Sequence, residues 1–257
     1  MKWIKYTLVY ILGITLGNTI LPASEKPAEV KLMEHVKPVP SALLINSYRY
    51  MGKLKSFSID AITTSDDVFL DKMIVTYTHH IQIKLKRPEK LYISNYGDLK
   101  DKVYYLNSGH FTVYDRDLNY YGKLDVPVTV DKALDHLFEL YHIKTSLANI
   151  LYRDLDRRIP PKSRGYYFGE SEIDTVVCHH IGFVSETQEY QIWIEKGERP
   201  LIRKFMIIDK IDPFLPRSET VLQWKLDEKL DDALFVFNAL KTAKEINITP
   251  ADSWEAE

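Results

Sequence analysis

Alternation dominates the chain. In KMIVTYTHHIQIKLKRP, Val75, Tyr77, His79, Ile81, Ile83 and Leu85 fall on one parity, and Thr76, Thr78, His80, Gln82, Lys84 and Lys86 on the other. A period of two predicts a half-buried strand, and Pro88 ends it. KSFSIDAITT carries the same pattern, with Phe57, Ile59, Ala61 and Thr63 on one face, and Asp66-Asp67 predicts the turn between the two strands. KLYIS, KVYYLN, HFTVYD and NYYGKLD follow as short strands with polar turns, the signature of an antiparallel meander. GYYFGESEI, TVVCHHIGFV, YQIWIE, LIRKFMIID, ETVLQWKL and ALFVFN resume the strand pattern later. Lys241 to Ile248 predicts a short tail on a sheet edge.

Two regions break the alternation. In SALLINSYRYMGKL, Leu44, Tyr48 and Met51 recur at helical spacing, with Ser41 as the expected N-cap and Gly52 as the expected stop. In VTVDKALDHLFELYHIKTSLANILYRDL, Leu134, Leu137, Phe138 and Tyr141 form an apolar stripe behind an expected cap at Asp131. Ser146 is the expected cap of a second short helix holding Leu147, Ile150 and Leu151. Asp154 to Lys162 reads as a solvated, charged, proline-bearing loop. The fold class that follows is α+β: a strongly curved antiparallel sheet, a half-barrel of about ten strands, covered by a few helices. A sheet that wide curls rather than staying flat, and its apolar face needs cover.

The ends add a compartment. Lys2 and Lys5 precede an uncharged apolar run from Tyr6 to Leu21, followed by Pro22, Ala23 and Ser24. That is the order of a secretory signal, and the run is shorter than the roughly 18 residues of a membrane span. The same segment also fits an uncleaved anchor. The expected organisation is a signal peptide at 1–23, a linker at 24–40, a single domain at 41–250 and a tail at 251–257. The formal charge is −2; removing two lysines with the leader leaves −4, with no basic excess to attract nucleic acid. Cys178 is the only cysteine, so export goes with a fold held by its core rather than by disulfides.

Candidate chemistry concentrates in VCHHIGFVSETQEYQIWIEKGERPLIRKFMI, from Val177 to Ile207. On a strand, His179 and His180 point to opposite faces and cannot chelate one ion together, and the same holds for His79 and His80. There is no HExxH or CxxC spacing, no G-x-S-x-G, no Walker loop and no Rossmann glycine set. No metal, cofactor or catalytic residue is assigned. Asp115 and Asp117 flank Arg116 in what reads as an ordinary turn. A hairpin closing near Glu186-Thr187 would pair Ile181 with Ile192 and Phe183 with Tyr190 on an apolar face. It would set His180 against Trp193 and Gly182 against Gln191 on the other face, with Glu195 diagonal to His180 and Arg203 or Lys204 beside Trp193. That second face, His180, Gln191, Trp193, Glu195 and Arg203, is either a cross-strand ladder fixing register or an interaction patch.

Several pieces, in this order, resemble a family of predicted periplasmic proteins that looks like the lipoprotein-carrier fold, an incomplete β-barrel closed by helices. They are Met51, Lys55-Ser56-Phe57, Lys86-Arg87-Pro88, Tyr114-Asp115, Asn119-Tyr120-Tyr121, Gly169, Cys178, His180 and Phe183. Gln191 to Glu195, Arg199-Pro200, Trp224 and Phe235-Val236-Phe237 complete the set. The likeness runs from about Leu43 to Ile246. Two departures stand out: Glu189-Tyr190 where the family tends to Asp-Trp, and Ile173-Asp174-Thr175 where it favours an apolar-Asp-Gly turn. The resemblance implies a fold and a compartment and supplies no activity.

The expectation is therefore a non-enzymatic periplasmic binding or carrier protein for a lipid, acyl chain or lipidated protein. The expected groove lining is Phe57, Ile59, Val75, Tyr77, Ile81, Ile83, Ile181 and Ile192 from strands, with Leu134, Leu137 and Phe138 from the cap. An envelope scaffold binding a protein partner is the alternative, and a hydrolase pairing His180 with Glu195 the most remote.

Overall fold

The computed structural model describes residues 38–158 and 164–251. The expected signal peptide, most of the linker, residues 159–163 of the charged loop and all but the first residue of the tail lie outside them. Helix α1 (Pro40–Lys53) starts at Pro40, not after a Ser41 cap; Val39 is the N-cap and makes no side-chain bond. Proline at the first helical position needs no amide donor and has its φ preset. Gly52 sits inside the helix, which Leu54 caps. A Cβ on Gly52 would stand 2.2 Å from the Arg153 carbonyl oxygen, so close approach, not termination, requires glycine there.

The strands are β1 (Ser56–Val68), β2 (Ile74–Lys86), β3 (Lys90–Gly97), β4 (Asp101–Asn107), β5 (His110–Asp115) and β6 (Tyr120–Asp125). After the helices come β7 (Gly165–Ile173), β8 (Val176–Val184), β9 (Gln188–Glu195), β10 (Ile202–Asp209), β11 (Arg217–Leu226) and β12 (Lys244–Glu245). Among the described residues these twelve strands make one sheet, against about ten expected, in the order β12-β6-β5-β4-β3-β2-β1-β11-β10-β9-β8-β7. All pairings are antiparallel except β12, the expected edge tail, which runs parallel to β6. Asp66 and Asp67 are not a turn: they pair with Thr76 and Val75, and the chain reverses beyond them, around a short 3-10 turn at Leu70–Lys72.

Strand order explains the cap. β6 lies next to one end of the sheet and β7 forms the other, so the connection between them must cross the whole sheet. It does so through helix α2 (Val130–Tyr141), a 3-10 turn at Ala148–Ile150 and helix α3 (Leu155–Arg158). The crossing packs Leu134, Leu137, Leu151 and Leu155 into the same core as Leu44 and Met51 of α1 and Ile59, Ile83 and Ile93 of the sheet. That core also takes in Phe111 of β5 and Ile181 of β8. On a flat sheet strands eight steps apart would stand about 38 Å from one another, so a core shared through two short helices requires a bent, unclosed sheet. The cap caught two expected start signals in other roles. Thr129, not Asp131, is the N-cap of α2, and Leu147, not Ser146, precedes the 3-10 turn. Asp131 serves in the first turn, where a carboxylate complements the helix dipole.

In the described part of the charged loop Arg157 and Arg158 are exposed, and the charges of Asp156 and Arg158 are paired. Arg158 donates to both oxygens of Asp135 at 2.7 and 2.9 Å, and Arg49 of α1 reaches Asp156 at 2.9 Å. ALFVFN forms a 3-10 turn (Asp232–Phe235), not a strand. It lies across the outer face of the first meander, where tyrosines needed cover: the Phe237 ring stands 5.5, 5.4 and 5.0 Å from those of Tyr105, Tyr114 and Tyr121. Among the described residues no helix is long and apolar enough to cross a membrane.

Candidate functional site

The inner face of the sheet meets the cap along one seam. Alternation places Phe57 and Ile59 of β1, Ile81 and Ile83 of β2, Ile181 of β8 and Ile192 of β9 on that face, and all six are buried in the shared core. Leu134 and Leu137 meet them from α2. Val75 and Tyr77 continue the same face of β2 but are only half-buried. Phe138 is not part of the seam: it is 47% exposed, with the Lys144 ammonium 5.1 Å from its ring centre. The α2 stripe is narrower than its sequence spacing suggested, because the helix touches the sheet along Val130, Ala133, Leu134 and Leu137.

The seam is closely packed, its two sides sharing one buried core. A space of about 10 Å³ within it is lined by Leu91, Tyr104, Tyr105, Leu106, Phe111, Leu134, Leu137 and Thr145, room for about one water. It is also not wholly apolar. Ser47 of α1, His79 of β2, Asn95 of β3 and Thr145 of the cap are all buried, and Ser47 Oγ, His79 Nδ1, Asn95 Oδ1 and Thr145 Oγ1 find no hydrogen-bond partner among the protein's described groups. One polar contact latches the cap to the sheet here, from the Asn95 amide to the Ser146 hydroxyl. At the other end of the cap, Val130 N donates to Pro88 O at 2.8 Å. Arg87 there donates to the carbonyls of Leu54 at 3.0 Å and Leu151 at 2.6 Å, and faces Asp131 at 3.5 Å. Burial pushes the Arg87 guanidinium down to about 10 and the Asp131 carboxyl up. Desolvation thus outweighs the attraction between them, so this pair positions the cap more than it stabilises it.

β8 and β9 pair in the expected register: Ile181 with Ile192 and Phe183 with Tyr190 on the inner face, and His180 with Trp193 and Gly182 with Gln191 on the opposite face. The His180 and Trp193 rings stack at 4.1 Å and 12°, and the Lys204 ammonium lies 4.9 Å from the indole. Lys204, not Arg203, takes that place because a bulge between Ile202 and Lys204 displaces Arg203. Arg203 instead holds Glu195, with Nε donating at 2.9 Å. His180 Nε2 faces Gln191 Oε1 at 3.0 Å. The His180–Glu195 pair a hydrolase would need is therefore not formed. Cys178 is buried, and burial pushes its thiol up to about 11, away from the thiolate a nucleophile requires. The ladder extends beyond these residues in a way that alternation of single strands could have revealed. His80 stacks on Tyr96 at 5.1 Å, and Phe168 lies 4.8 Å from His180. Paired positions link the two groups through Ile62, Val221 and Lys204.

Fold and seam together define an open antiparallel half-barrel with its apolar face under a helical cap. The chain belongs to the family described as Predicted periplasmic protein (DUF2092), whose model matches residues 41–249, and it is periplasmic accordingly. No curated protein matches the sequence. Among solved structures, an uncharacterized conserved protein from Thermus thermophilus is similar at 10% identity and TM-score 0.47, over 80% of this chain and 99% of that one. The lipoprotein LppX from Mycobacterium tuberculosis is similar at 11% identity and TM-score 0.45, over 74% and 96%. A LolA superfamily protein from Nitrosomonas europaea is similar at 10% identity and TM-score 0.38, over 79% and 100%. At these values no ligand or activity carries over.

Proposed function

We propose that the protein is a non-enzymatic periplasmic binding or carrier protein for a hydrophobic or amphiphilic ligand, a lipid or acyl chain, received between the sheet and the helical cap. The observation that carries this reading is the composition of the seam. It is apolar over most of its area, yet it encloses four polar side chains with unpartnered atoms. Each such atom costs about 1–3 kcal/mol, so the closed cap is held less tightly than a dry seam of the same size would hold it. Because the side chains of sheet and cap share one buried core, the ligand takes the place of the cap's own side chains, and its apparent affinity scales with the fraction of molecules whose cap is open.

A double substitution tests this. Asn95→Cys with Ser146→Cys replaces the latch by a bond that oxidation closes. The wild-type protein and the reduced variant are expected to take up a fluorescent fatty acid from solution, and the oxidised variant is expected to take up none. Buried Cys178, whose thiol stays protonated, does not compete for that bond. Uptake by neither the wild type nor the reduced variant would defeat the carrier reading.

A second reading, an envelope scaffold for a protein partner, is favoured by the outer ladder, which exposes Ile62, Tyr96 and Phe168 across most of the sheet.

A further inference from the structure

Two hairpin turns far apart in sequence meet at one rim of the sheet. The β1–β2 turn carries Phe69, Leu70 and Met73; the β10–β11 turn carries Ile211, Phe214 and Leu215, and all six are exposed. Leu70 and Ile211, at 77% and 75%, are the most exposed large apolar side chains among the described residues. The turns are neighbours because β1 pairs with β11, with Ser65 opposite Ser218. The Lys72 ammonium lies 5.9 Å from the Phe214 ring centre, and Arg217 reaches Asp66 at 3.8 Å.

The cap stops short of this rim. On β1, the core residues Phe57, Ile59 and Ala61 give way to half-buried Thr63 and Ser65 as the strand approaches the turn. On β2, Val75 and Tyr77 are half-buried, whereas His79, Ile81, Ile83 and Leu85 beyond them are buried. On β10 only Ile202, at the far end, is buried. A strip of inner face therefore runs from the apolar turns to the edge of the seam.

We infer that this rim docks on a lipid bilayer and sets the open strip of inner face against it. The inference deepens the carrier reading and rests on it for what would pass along that strip. The shape argues for a bilayer. The apolar side chains project singly from turns, and the membrane interface accepts separate protrusions where a protein surface would need a pit for each. The charge argues that insertion is apolar. Lys72, Lys210 and Arg217 stand among Asp66, Asp209 and Asp212, whose carboxylates hold the chain in shape: Asp66 accepts from Thr76 Oγ1 at 2.7 Å, Asp209 from Ile211 N at 2.8 Å and Asp212 from Phe214 N at 2.8 Å. With Asp67 and Asp71 also in this part of the chain, five aspartates stand against three basic residues, so the rim offers anionic lipid no cationic field, and its binding is expected to survive salt, which screens exposed charges.

The protein without its expected signal peptide, residues 24–257, is sedimented with phosphatidylcholine vesicles at low and high salt. The wild type is expected in the pellet under both conditions. Leu70→Asp with Ile211→Asp is expected to lower the bound fraction about tenfold or more, since two large side chains lose their apolar burial. Circular dichroism should not change, because both positions are solvent-facing. The inference is overturned if the wild type ignores vesicles, if the double variant pellets like the wild type, if high salt releases the protein, or if the rim substitutions abolish binding only to a soluble protein. Uptake of a dissolved fluorescent fatty acid separates the two ideas. Uptake with no vesicle binding sinks the rim and leaves the carrier; vesicle binding with no uptake sinks the carrier and leaves the rim.

Discussion

Trp193 tests whether the outer ladder holds the fold or displays a surface. Its indole is 9% exposed, between the His180 ring and the Lys204 ammonium on the neighbouring strands. A cation over an exposed ring contributes about 0.5–1 kcal/mol, whereas truncating a buried tryptophan to alanine costs several times that. Burial therefore decides its role: Trp193→Ala is expected to destabilise the protein by roughly 2–4 kcal/mol, read as a lower urea midpoint at unchanged slope. A variant as stable as the wild type would leave the ladder no structural part and would favour the scaffold reading.

At the scale of elements, Gly52 carries the sharpest constraint on the cap. The space its side chain lacks is filled by the Arg153 backbone of the segment between the 3-10 turn and α3. Gly52→Ala keeps the helix propensity favourable but forces that segment away from α1. A net loss of about 1–3 kcal/mol is expected from overpacking, and a thermal melt in which the variant matches or exceeds the wild type would contradict the contact. This position also shows what could and could not be read from the chain. Strands and the β8–β9 register were legible because a period of two and a short hairpin leave few alternatives. The roles of Gly52 and Asp131 were not, since each depends on a neighbour distant in sequence; the helix start at Pro40 instead of after a Ser41 cap follows a local signal, proline at the first helical position. Phe138 has the right spacing for a core position, but the helix axis, set by the anchor at Arg87 and Pro88, turns it outward. Asp66-Asp67 looked like a turn because acidic pairs often are, yet the two aspartates extend the longest hairpin of the sheet. The bulge that exchanges Arg203 for Lys204 follows no local signal. The polar atoms of the seam were visible only as residues that broke an apolar pattern, and their lack of partners needs the third dimension.

The whole molecule should sense mild acid, and the sign follows from its histidines. His79, His179 and His180 are each held below the ordinary histidine range, in every case first by burial. Their charged surroundings are mixed. Lys100 and Asp98 face His79, Glu170 and Lys196 face His179, and Lys204 faces His180, while Gln191 hydrogen-bonds its ring. In the unfolded chain these rings titrate near about 6.5; in the folded protein they stay neutral to lower pH. Below that value the unfolded state binds more protons, so stability rises with pH there and is complete above it. The loss begins as pH falls through about 6.5 and continues until the folded-state values are reached, with a slope of at most about 1.4 kcal/mol per pH unit for each histidine. Asp131, whose carboxyl burial pushes up, acts with the opposite sign but is one group against three. Glu170 and Asp232, held low chiefly by lysine partners, contribute only in stronger acid, below the ordinary carboxylate range. Urea midpoints measured between neutral pH and about pH 5 should fall steadily, and His79→Asn with His179→Asn should flatten the curve. A curve already flat in the wild type would mean that these rings reach water freely. That would remove the buried His79 from the seam, and with it part of the reason for expecting the cap to open.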